Sequence, residues 1–566
     1  MDTLSLPFTK IKEAYFRLSS QKVFLVWMTL ALCVLFFVLT LILINNKFLI
    51  TIPKRGGELR EGIVGTPRFI NPVLATNSQD ETLTSLVFSG ITKIDKDNKA
   101  VLDMAESVQK SDDGLSYTVT LKNNLFFHDG EKVTVDDVIY TLSLVQNPSL
   151  KSPVKIKWEG VKIEKASETK VVFSLKQPYP LFERSLALGI LPKHIWKNLS
   201  IEEIAQSDQN IKAIGSGPYM ICGVTSISGI PRIFTLKENK KNVLGRPYIT
   251  TLTVRSYQTE KLLEQAYQNK EIDSFSVISH LATENSSRAF VSSDSITLPQ
   301  TFSLFFNPNK ERFLADKDIR KALAIALRKE ELIKNLYGNG VGVAYTHYPF
   351  RAMSSDEPRE TDNPEELIRK SAFEKKNSSS TLSLTLTIGD SEDNRKLADE
   401  IKKRWDKIGV RTTIQIFEFA DLNQRVIKNR DFQVVLSGTL IEDVTDLYAF
   451  WHSSQRAYPG LNIAGYASTK MDQNLEKLRG EVDETRRVEL GNEIEQELYD
   501  EKPAIFLYHP KLLYIKSNKI YTTLPLYGIN ESSRFADITS WYMETERVWK
   551  FSYKQKVIVL LEGILH

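Results

Sequence analysis

The side chains that most often carry catalysis or bind metals are scattered along this 566-residue chain. Its seven histidines stand at positions 128, 194, 280, 347, 452, 509 and 566, and no two of them have the spacing of a metal-ligand pair. His128 and Asp129 resemble a base beside its orienting carboxylate, but neighbouring residues of a strand point to opposite faces. Asp129-Gly130 is sufficiently explained as a turn. We therefore expect no metal site and no catalytic site here.

Two glycine-containing motifs also fail to indicate chemistry. Gly338, Gly340 and Gly342 follow a predicted helix rather than a strand, and they lack the spacing of a phosphate-binding loop. Ser216 stands in G-S-G-P-Y, which departs from the G-x-S-x-G of a nucleophile elbow. The sequence therefore predicts a protein that is not an enzyme and needs no cofactor.

The elements that would position a binding site are easier to read. Residues 304–306 form an apolar strand that ends at Asn307-Pro308. An amphipathic helix follows, with Asp318 as its expected cap and Ile319 and Leu323 on its apolar face. This pattern is typical of a core helix packed on a sheet.

A later segment predicts an α/β unit. Apolar residues alternate over 382–388, recur at helical spacing over 397–405 and alternate again over 410–416, with a third strand at 432–436. Gly409 is the expected end of the helix. This β-α-β order favours parallel strands joined by a right-handed crossover.

The region before it predicts an antiparallel strand pair. Residues 116–121 alternate in polarity, and 125–128 would return as a second strand after the Asn123-Asn124 turn. Thr134 is the expected start of a helix, with Asp137 completing a capping box. A further strand is expected at 171–175.

Length, charge and hydropathy narrow the class of protein. A chain of this length exceeds one compact core. The net charge is +4 with mixed signs, so nucleic acid is not an implied partner.

Residues 23–44 carry no charge and are long enough to cross a bilayer. No small-x-small cleavage site follows them. A lipoprotein signal that used Cys33 would require a small residue before it, and Leu32 stands there instead. We expect an uncleaved anchor rather than a removed signal.

Ten sequence blocks resemble, in the same order, those of the family 5 extracellular solute-binding proteins. The most specific is FFHDGEKVTVDDV at 126–138, which is similar to the family pattern F-x-D-G-x-x-x-T-A-x-D-V with Val135 at the alanine position. The full set is 56–59, 70–74, 104–107, 113–119, 126–138, 191–194, 214–219, 301–327, 450–455 and 503–508.

The resemblance implies an α/β fold of two lobes, the class II form of the periplasmic-binding-protein-like fold, with ligand held between the lobes. The implied organisation is a cytoplasmic segment at 1–22, one transmembrane helix at 23–44, a linker at 45–55 and a tail at 550–566. The first lobe would comprise 56–88, 214–298 and 508–549, with an inserted domain at 89–213. The second lobe would be 301–507.

The resemblance further implies a peptide held by strand segments of both lobes, with a carboxylate on its terminal ammonium. Asp443 matches that carboxylate best and Glu442 is next to it, although both acids are equally explained as solvated loop residues. The implied ligand-binding residues are Thr76, Asn77, Ser78, Thr439, Leu440, Glu442, Asp443 and Trp451.

The implied function is extracytoplasmic capture of peptides by a membrane-anchored monomer and their delivery to the permease of an ABC importer. Three alternatives stay open. The same fold binds another solute (nickel, haem or an oligosaccharide), or it serves as a sensor or scaffold uncoupled from import. An enzyme such as a surface peptidase is the third.

Overall fold

The computed structural model describes residues 19–179, 181–279, 293–338, 340–348, 362–371, 373, 382–441, 447–481 and 483–549. These residues form two compact units. One unit contains the described residues of 19–55 and 544–549, and the other comprises the described residues of Gly56–Met543. The predicted tail at 550–566 lies outside the described residues.

The described residues form twenty strands, numbered in chain order. They are β1 (Leu49–Lys54), β2 (Glu58–Val64), β3 (Thr92–Ile94), β4 (Ala100–Leu102), β5 (Ala105–Lys110), β6 (Ser116–Leu121), β7 (Lys162–Lys165), β8 (Lys170–Ser174), β9 (Tyr219–Ile227), β10 (Ile230–Glu238), β11 (Thr251–Tyr257), β12 (Ser274–Ser279), β13 (Ser293–Thr297), β14 (Gln300–Phe306), β15 (Val341–Val343), β16 (Leu382–Gly389), β17 (Val410–Phe417), β18 (Val434–Leu440), β19 (Ala504–Lys516) and β20 (Glu544–Trp549).

The α-helices of the described residues are numbered in the same way. They are α1 (Ser20–Phe48), α2 (Ser78–Val87), α3 (Val135–Gln146), α4 (Phe182–Ser185), α5 (Lys193–Trp196), α6 (Ile201–Gln206), α7 (Glu260–Gln268), α8 (Lys317–Ala326), α9 (Lys329–Tyr337), α10 (Pro364–Lys370), α11 (Glu392–Lys407), α12 (Phe419–Asp421), α13 (Leu447–Trp451), α14 (Thr469–Gly480) and α15 (Glu484–Glu501).

The terminal unit contains α1, β1 and β20. The apolar helix is long enough to cross a membrane over Lys22–Phe48, and its apolar window is entirely unburied. Residues 49–54, inside the segment predicted as a linker, form β1, which pairs antiparallel with β20 from Leu49 opposite Trp549 to Lys54 opposite Glu544. The linker is therefore structured, because the C-terminal strand provides a partner that the local sequence does not show.

The main unit is built on a mixed sheet of twelve strands. Its order is β17-β16-β18-β14-β19-β12-β2-β11-β10-β9, and β13 and β15 also pair with β19. Strand β19 is long enough to pair with β14 through its first half and with β12 through its second half. Strands from the predicted first lobe follow it on one side, and strands from the predicted second lobe precede it on the other. The lobe boundaries themselves stay a prediction.

The predicted β-α-β unit is confirmed. Strand β16 pairs in parallel with both β17 and β18, and α11 connects β16 to β17. Helix α11 buries Leu397, Ile401 and Trp405. Gly409 has a φ of 86°, a left-handed conformation that glycine adopts without strain.

The strand at 116–121 and the capped helix after it are also confirmed. Strand β6 buries Tyr117, Val119 and Leu121. The Asp137 carboxylate accepts the backbone N–H of Thr134 at 2.8 Å and its hydroxyl at 2.6 Å, which closes the start of α3. The predicted second strand at 125–128 is wrong, because only an isolated bridge from Phe126 to Lys132 forms there. Strand β6 pairs with β5 and β8 instead.

The segment from β14 to α9 follows its predicted order with one correction. Asp318 does not cap α8. The cap is Asp316, whose side chain accepts the backbone N–H of Asp318 at 3.0 Å, so the helix begins two residues earlier than the prediction requires. The apolar face is as predicted, with Ile319 and Leu323 fully buried. Gly338 ends α9 with a φ of 57°, as expected of a glycine at a helix exit.

Candidate functional site

Strand β18 has one paired edge and one open edge. Strand β14 pairs with it along its whole length, from Val434 to Leu440. On the other side, β16 pairs with Val434 and Val435 only. Within the part of the chain that the structure describes, the remainder of this edge has no strand partner.

The phase of the hydrogen bonds shows which groups face the open edge. The backbone N–H of Ile441 donates to the carbonyl of Pro299 at 2.8 Å, on the β14 side. In an antiparallel pair, alternate residues direct their N–H and C=O groups to the partner. Gly438 and Leu440 therefore direct theirs to the opposite, open edge. Both residues are exposed, and 54% of Leu440 is accessible.

A buried chain of donors and acceptors lies behind this edge. The indole N–H of Trp451 donates to Nδ1 of His347 at 2.9 Å. Because indole is only a donor, Nδ1 must accept, and the ring proton is assigned to Nε2. Nε2 then donates to the hydroxyl of Thr439 at 2.6 Å, which donates to the carbonyl of Thr301 at 3.2 Å. These side chains fix β18 against β14.

The backbone around His347 is held by a second set of bonds. The carboxylate of Glu495 accepts the N–H of His347 at 3.1 Å and that of Tyr348 at 2.9 Å. The carbonyl of His347 accepts the hydroxyl of Thr301 at 2.8 Å. We call these five residues the His347 network: Thr301, His347, Thr439, Trp451 and Glu495.

The network is buried, and aromatic rings surround His347. His347 stacks on Phe506, with centroids 5.1 Å apart and planes 14° apart, and its edge meets Phe450 at 5.1 Å. This burial lowers the pKa of His347 to about 3, because the charged imidazolium is not solvated there. The ring is therefore neutral at physiological pH, as its bond from Trp451 requires.

His509 connects this network to β19. Its Nδ1 lies 3.1 Å from the Thr301 hydroxyl oxygen and 3.2 Å from the carbonyl of Gln300. Since the Thr301 hydroxyl already donates to His347, we assign the proton to Nδ1 of His509. His509 stands on β19 just after the residues that pair with β14 and just before those that pair with β12. The network is therefore next to the change of partners in the shared strand.

The predicted first-lobe segment is organised by a buried carboxylate. One oxygen of Asp80 accepts the backbone N–H groups of Arg68 at 2.6 Å and Phe69 at 3.0 Å. The other accepts the side-chain amide of Asn77 at 2.9 Å, while Asn77 caps α2 by accepting the N–H of Asp80 at 2.8 Å. We call Arg68, Phe69, Asn77 and Asp80 the Asp80 loop. Thr76 is exposed beside it.

The predicted ligand-binding residues lie in different parts of the structure. Thr439 and Trp451 are brought together through His347, and Leu440 lies at the open edge of β18. Thr76, Asn77 and Ser78 lie at the start of α2. Glu442 and Asp443 fall outside the described residues.

Trp451 needs a correction of role. The family resemblance implies that it contacts ligand, but its side chain is fully buried between Phe305 and Phe506. In this structure it positions His347 instead. Sequence reasoning missed His347 and Glu495, because a lone histidine and one acid within a long helix carry no local signal of a network.

His128 and Asp129 have structural roles. Nδ1 of His128 accepts the N–H of Gly215 at 3.3 Å, and burial lowers its pKa to about 4. Asp129 pairs instead with His194, whose Nε2 lies 2.8 Å from the carboxylate. Among the described residues no group of three His, Cys, Asp or Glu side chains is arranged to hold a metal ion.

A cavity of about 380 Å³ lies away from all of these residues. Phe88, Asp103, Trp158 and Asn530 are among its lining residues, and the predicted ligand residues are not. Burial raises the pKa of Asp103 to about 6. This cavity is a separate feature from the open edge of β18.

Comparisons with known proteins converge on one family. A sequence model described as bacterial extracellular solute-binding proteins, family 5 Middle, matches residues 99–458, more than half of the chain. The oligopeptide-binding protein AppA of Bacillus subtilis (strain 168) is 26% identical over 482 residues, which cover 81% of this chain and 87% of that protein.

Solved structures show the same fold. The AppA structure in complex with a nonapeptide aligns with a TM-score of 0.63 and 24% identity, covering 87% of this chain and all of that one. The unliganded open form of the murein tripeptide-binding protein MppA aligns with a TM-score of 0.75 and 18% identity, covering 88% and 99% of the two chains.

Proposed function

We propose, on the premise that this chain belongs to the bacterial extracellular solute-binding proteins of family 5, that it captures peptides between its lobes and delivers them to an ABC importer. The named relative AppA is an oligopeptide-binding protein. As a binding protein it would hold its ligand without cleaving it. The permease would recognise the ligand-stabilised closed form.

The observation that carries this proposal is the open edge of β18. An extended peptide adds to such an edge as a further strand, so that main-chain hydrogen bonds supply affinity. Gly438 and Leu440 each offer an N–H and a C=O in the phase that a peptide needs. The His347 network would keep this strand straight when the ligand arrives, since its side chains fix Thr439 from behind.

The other ligand residues are proposed from the family resemblance. Asp443 would take the peptide's terminal ammonium, with Glu442 as the second candidate. Thr76, Asn77 and Ser78 would contact the ligand from the opposite lobe. Trp451 would act indirectly, as a positioning residue.

We further propose that α1 anchors the chain as a single-pass helix and that the body faces the extracytoplasmic side as a monomer. The support is the length and exposure of the apolar helix over Lys22–Phe48. N-terminal sequencing of membrane-extracted protein should recover residues before Val23. A mature chain that starts at Cys33 or later would contradict this.

The open edge is tested by replacing Leu440 with proline. Peptides that co-purify with the chain would be identified by mass spectrometry and resynthesised for titration calorimetry. Leu440→Pro removes one N–H from the open edge but none from the β14 pairing, so it should weaken binding roughly tenfold, the equivalent of about 1.4 kcal/mol. Leu440→Ala keeps the N–H and is the matched control. Equal affinities for the two variants would overturn strand addition at this edge.

The ammonium partner is tested by a four-way cycle. Asp443→Ala should weaken binding by roughly 30-fold or more, because truncating one partner of a buried charge pair costs about 2–5 kcal/mol. N-acetylation of the peptide should be costly in the parent protein and matter less in the variant. If acetylation costs the same in both, Asp443 does not hold the ammonium, and Glu442 is the next candidate.

A further inference from the structure

The C-terminal strand returns to the end of the apolar helix. Helix α1 ends at Phe48 and continues directly into β1. The antiparallel register places Trp549, the last residue of β20, opposite Leu49. The rings of Phe48 and Trp549 stack with centroids 6.2 Å apart and planes 9° apart. Residues some 500 positions apart in sequence therefore form one aromatic pair at one end of the helix.

This pair has the position of an interfacial anchor. The apolar helix over Lys22–Phe48 has 27 residues. At 1.5 Å per residue it is about 40 Å long, which exceeds the roughly 30 Å hydrocarbon core, so its end reaches the headgroup region. Tryptophan is enriched at that depth, because its ring is apolar and its N–H is polar. Trp549 is 45% exposed and Phe48 37% exposed.

Basic side chains near the aromatic pair are also consistent with a position in the headgroup region. Lys47 precedes the aromatic pair, and Arg547 lies two residues before Trp549 in β20. Basic side chains beside a membrane span attract anionic headgroups. Ile50 and Val548, opposite each other at the next register position, place an apolar pair on the other face of the ribbon. An isolated two-stranded ribbon is marginally stable in water, and contact with lipid would support this one.

We propose that the β1–β20 ribbon is a second membrane contact, in which Trp549 inserts into the headgroup region of the bilayer that α1 crosses. The inference rests on the proposed anchoring of the chain by α1. It makes the C-terminal strand, and not only the N-terminal helix, a membrane-binding element. The body, Gly56–Met543, would then be tethered at both of its ends, by two polypeptide strands rather than one.

The test uses tryptophan quenching by brominated lipid. The full chain is reconstituted into phosphatidylcholine–phosphatidylglycerol vesicles with brominated or ordinary acyl chains. Trp27 lies within α1 and reports its insertion, so Trp27→Phe removes that signal. The other tryptophans are buried in the body and serve as an unquenched background: Trp158, Trp196, Trp405, Trp451 and Trp541.

The expected result is that Trp27→Phe still loses emission in brominated vesicles, and that Trp27→Phe combined with Trp549→Phe loses none. Phenylalanine at 549 keeps a ring to stack on Phe48, so the ribbon itself should persist. Equal quenching of the single and double variants would overturn the ribbon contact. A wild-type chain quenched more strongly than Trp27→Phe confirms the helix independently, whereas no quenching of Trp27 would contradict the anchor itself.

Discussion

The Asp80 loop and the His347 network are held by the same kind of contact, but the bonded residues are separated by different distances along the chain. In each, one buried carboxylate accepts two successive backbone N–H groups and so fixes a turn beside a candidate ligand segment. Asp80 reaches Arg68 and Phe69, only eleven or twelve residues away. Glu495 reaches back 148 residues to His347.

The difference lies in what each region depends on. The Asp80 loop is closed by the start of its own helix, so it needs little beyond the local chain. The His347 network unites β14, β18, α13, α15 and the segment after β15, and it forms only when all of them are in place. We therefore expect substitutions in the network to be more costly and to affect β18 at a distance.

The largest effect is expected at Trp451. Its side chain is fully buried, and Trp451→Ala should lower the free energy of unfolding by about 3–5 kcal/mol, since a large cavity forms. Trp451→Phe retains most of the volume and loses the bond to His347, so about 1–2 kcal/mol is expected. Urea titration of the detergent-solubilised chain measures both. Equal losses would show that the indole bond, rather than packing, dominates.

The two carboxylates provide the direct contrast. Glu495→Ala leaves a fully buried N–H and a partly buried one without their acceptor, which should cost about 2–5 kcal/mol. Asp80→Ala leaves two partly buried N–H groups and should cost less. Glu495→Gln and Asp80→Asn keep one oxygen and are the matched controls. A larger loss at Asp80 would reverse the comparison.

Acid should destabilise the folded protein through two buried histidines, His347 within the network and His128 outside both regions. The folded protein holds the pKa of His347 at about 3 and that of His128 at about 4, against about 6.5 when unfolded. The unfolded chain therefore binds more protons below pH 6.5, and stability is lost as the pH falls. His347→Gln should reduce this slope by up to about 1.4 kcal/mol per pH unit between pH 6.5 and 3. For His128→Asn the reduction should end near pH 4.

Urea titrations at intervals between pH 7.5 and 4.5 give these slopes. The wild type is compared with each single variant and with the double variant. If His347→Gln leaves the dependence of the unfolding free energy on pH unchanged, His347 is already protonated in the folded state. That result would contradict the neutral tautomer assigned from the Trp451 bond.

The smallest effects are expected at the two short polar side chains. Thr439→Val preserves shape but leaves Nε2 of His347 without its acceptor, at about 1–2 kcal/mol. Asn77→Ala removes a helix cap, at about 1 kcal/mol. Thr439→Ser keeps the hydroxyl and should be close to wild type in thermal melting. Asn77→Ser keeps an uncharged capping oxygen beside Asp80 and should lose less stability than Asn77→Ala. Thr439→Val should also weaken peptide binding, whereas Thr439→Ser should not.

The features that could be predicted from the sequence are those whose bonds close within a few residues. Thr134 with Asp137 marks a helix start, because the two side chains bond to groups only three residues apart. The parallel strands around α11 follow from alternating and helical periods and from the handedness of the crossover. The family was also readable, since its sequence blocks are local. The predicted cap at Asp318 is wrong by two residues, because Asp316 is a second possible capping carboxylate in the same segment.

The open edge of β18 and the side chains that support it depend on contacts between distant parts of the chain. The sequence around Leu440 does not show whether β18 has one neighbouring strand there or two. The edge is open because β16 pairs with Val434 and Val435 only. Trp451 matched a family block, yet packing between Phe305 and Phe506 placed it in the core. His347 meets Thr439, Trp451 and Glu495 across 92 to 148 residues, and β1 meets β20 across the whole chain. Such contacts depend on how distant elements pack, which no local pattern of residues records.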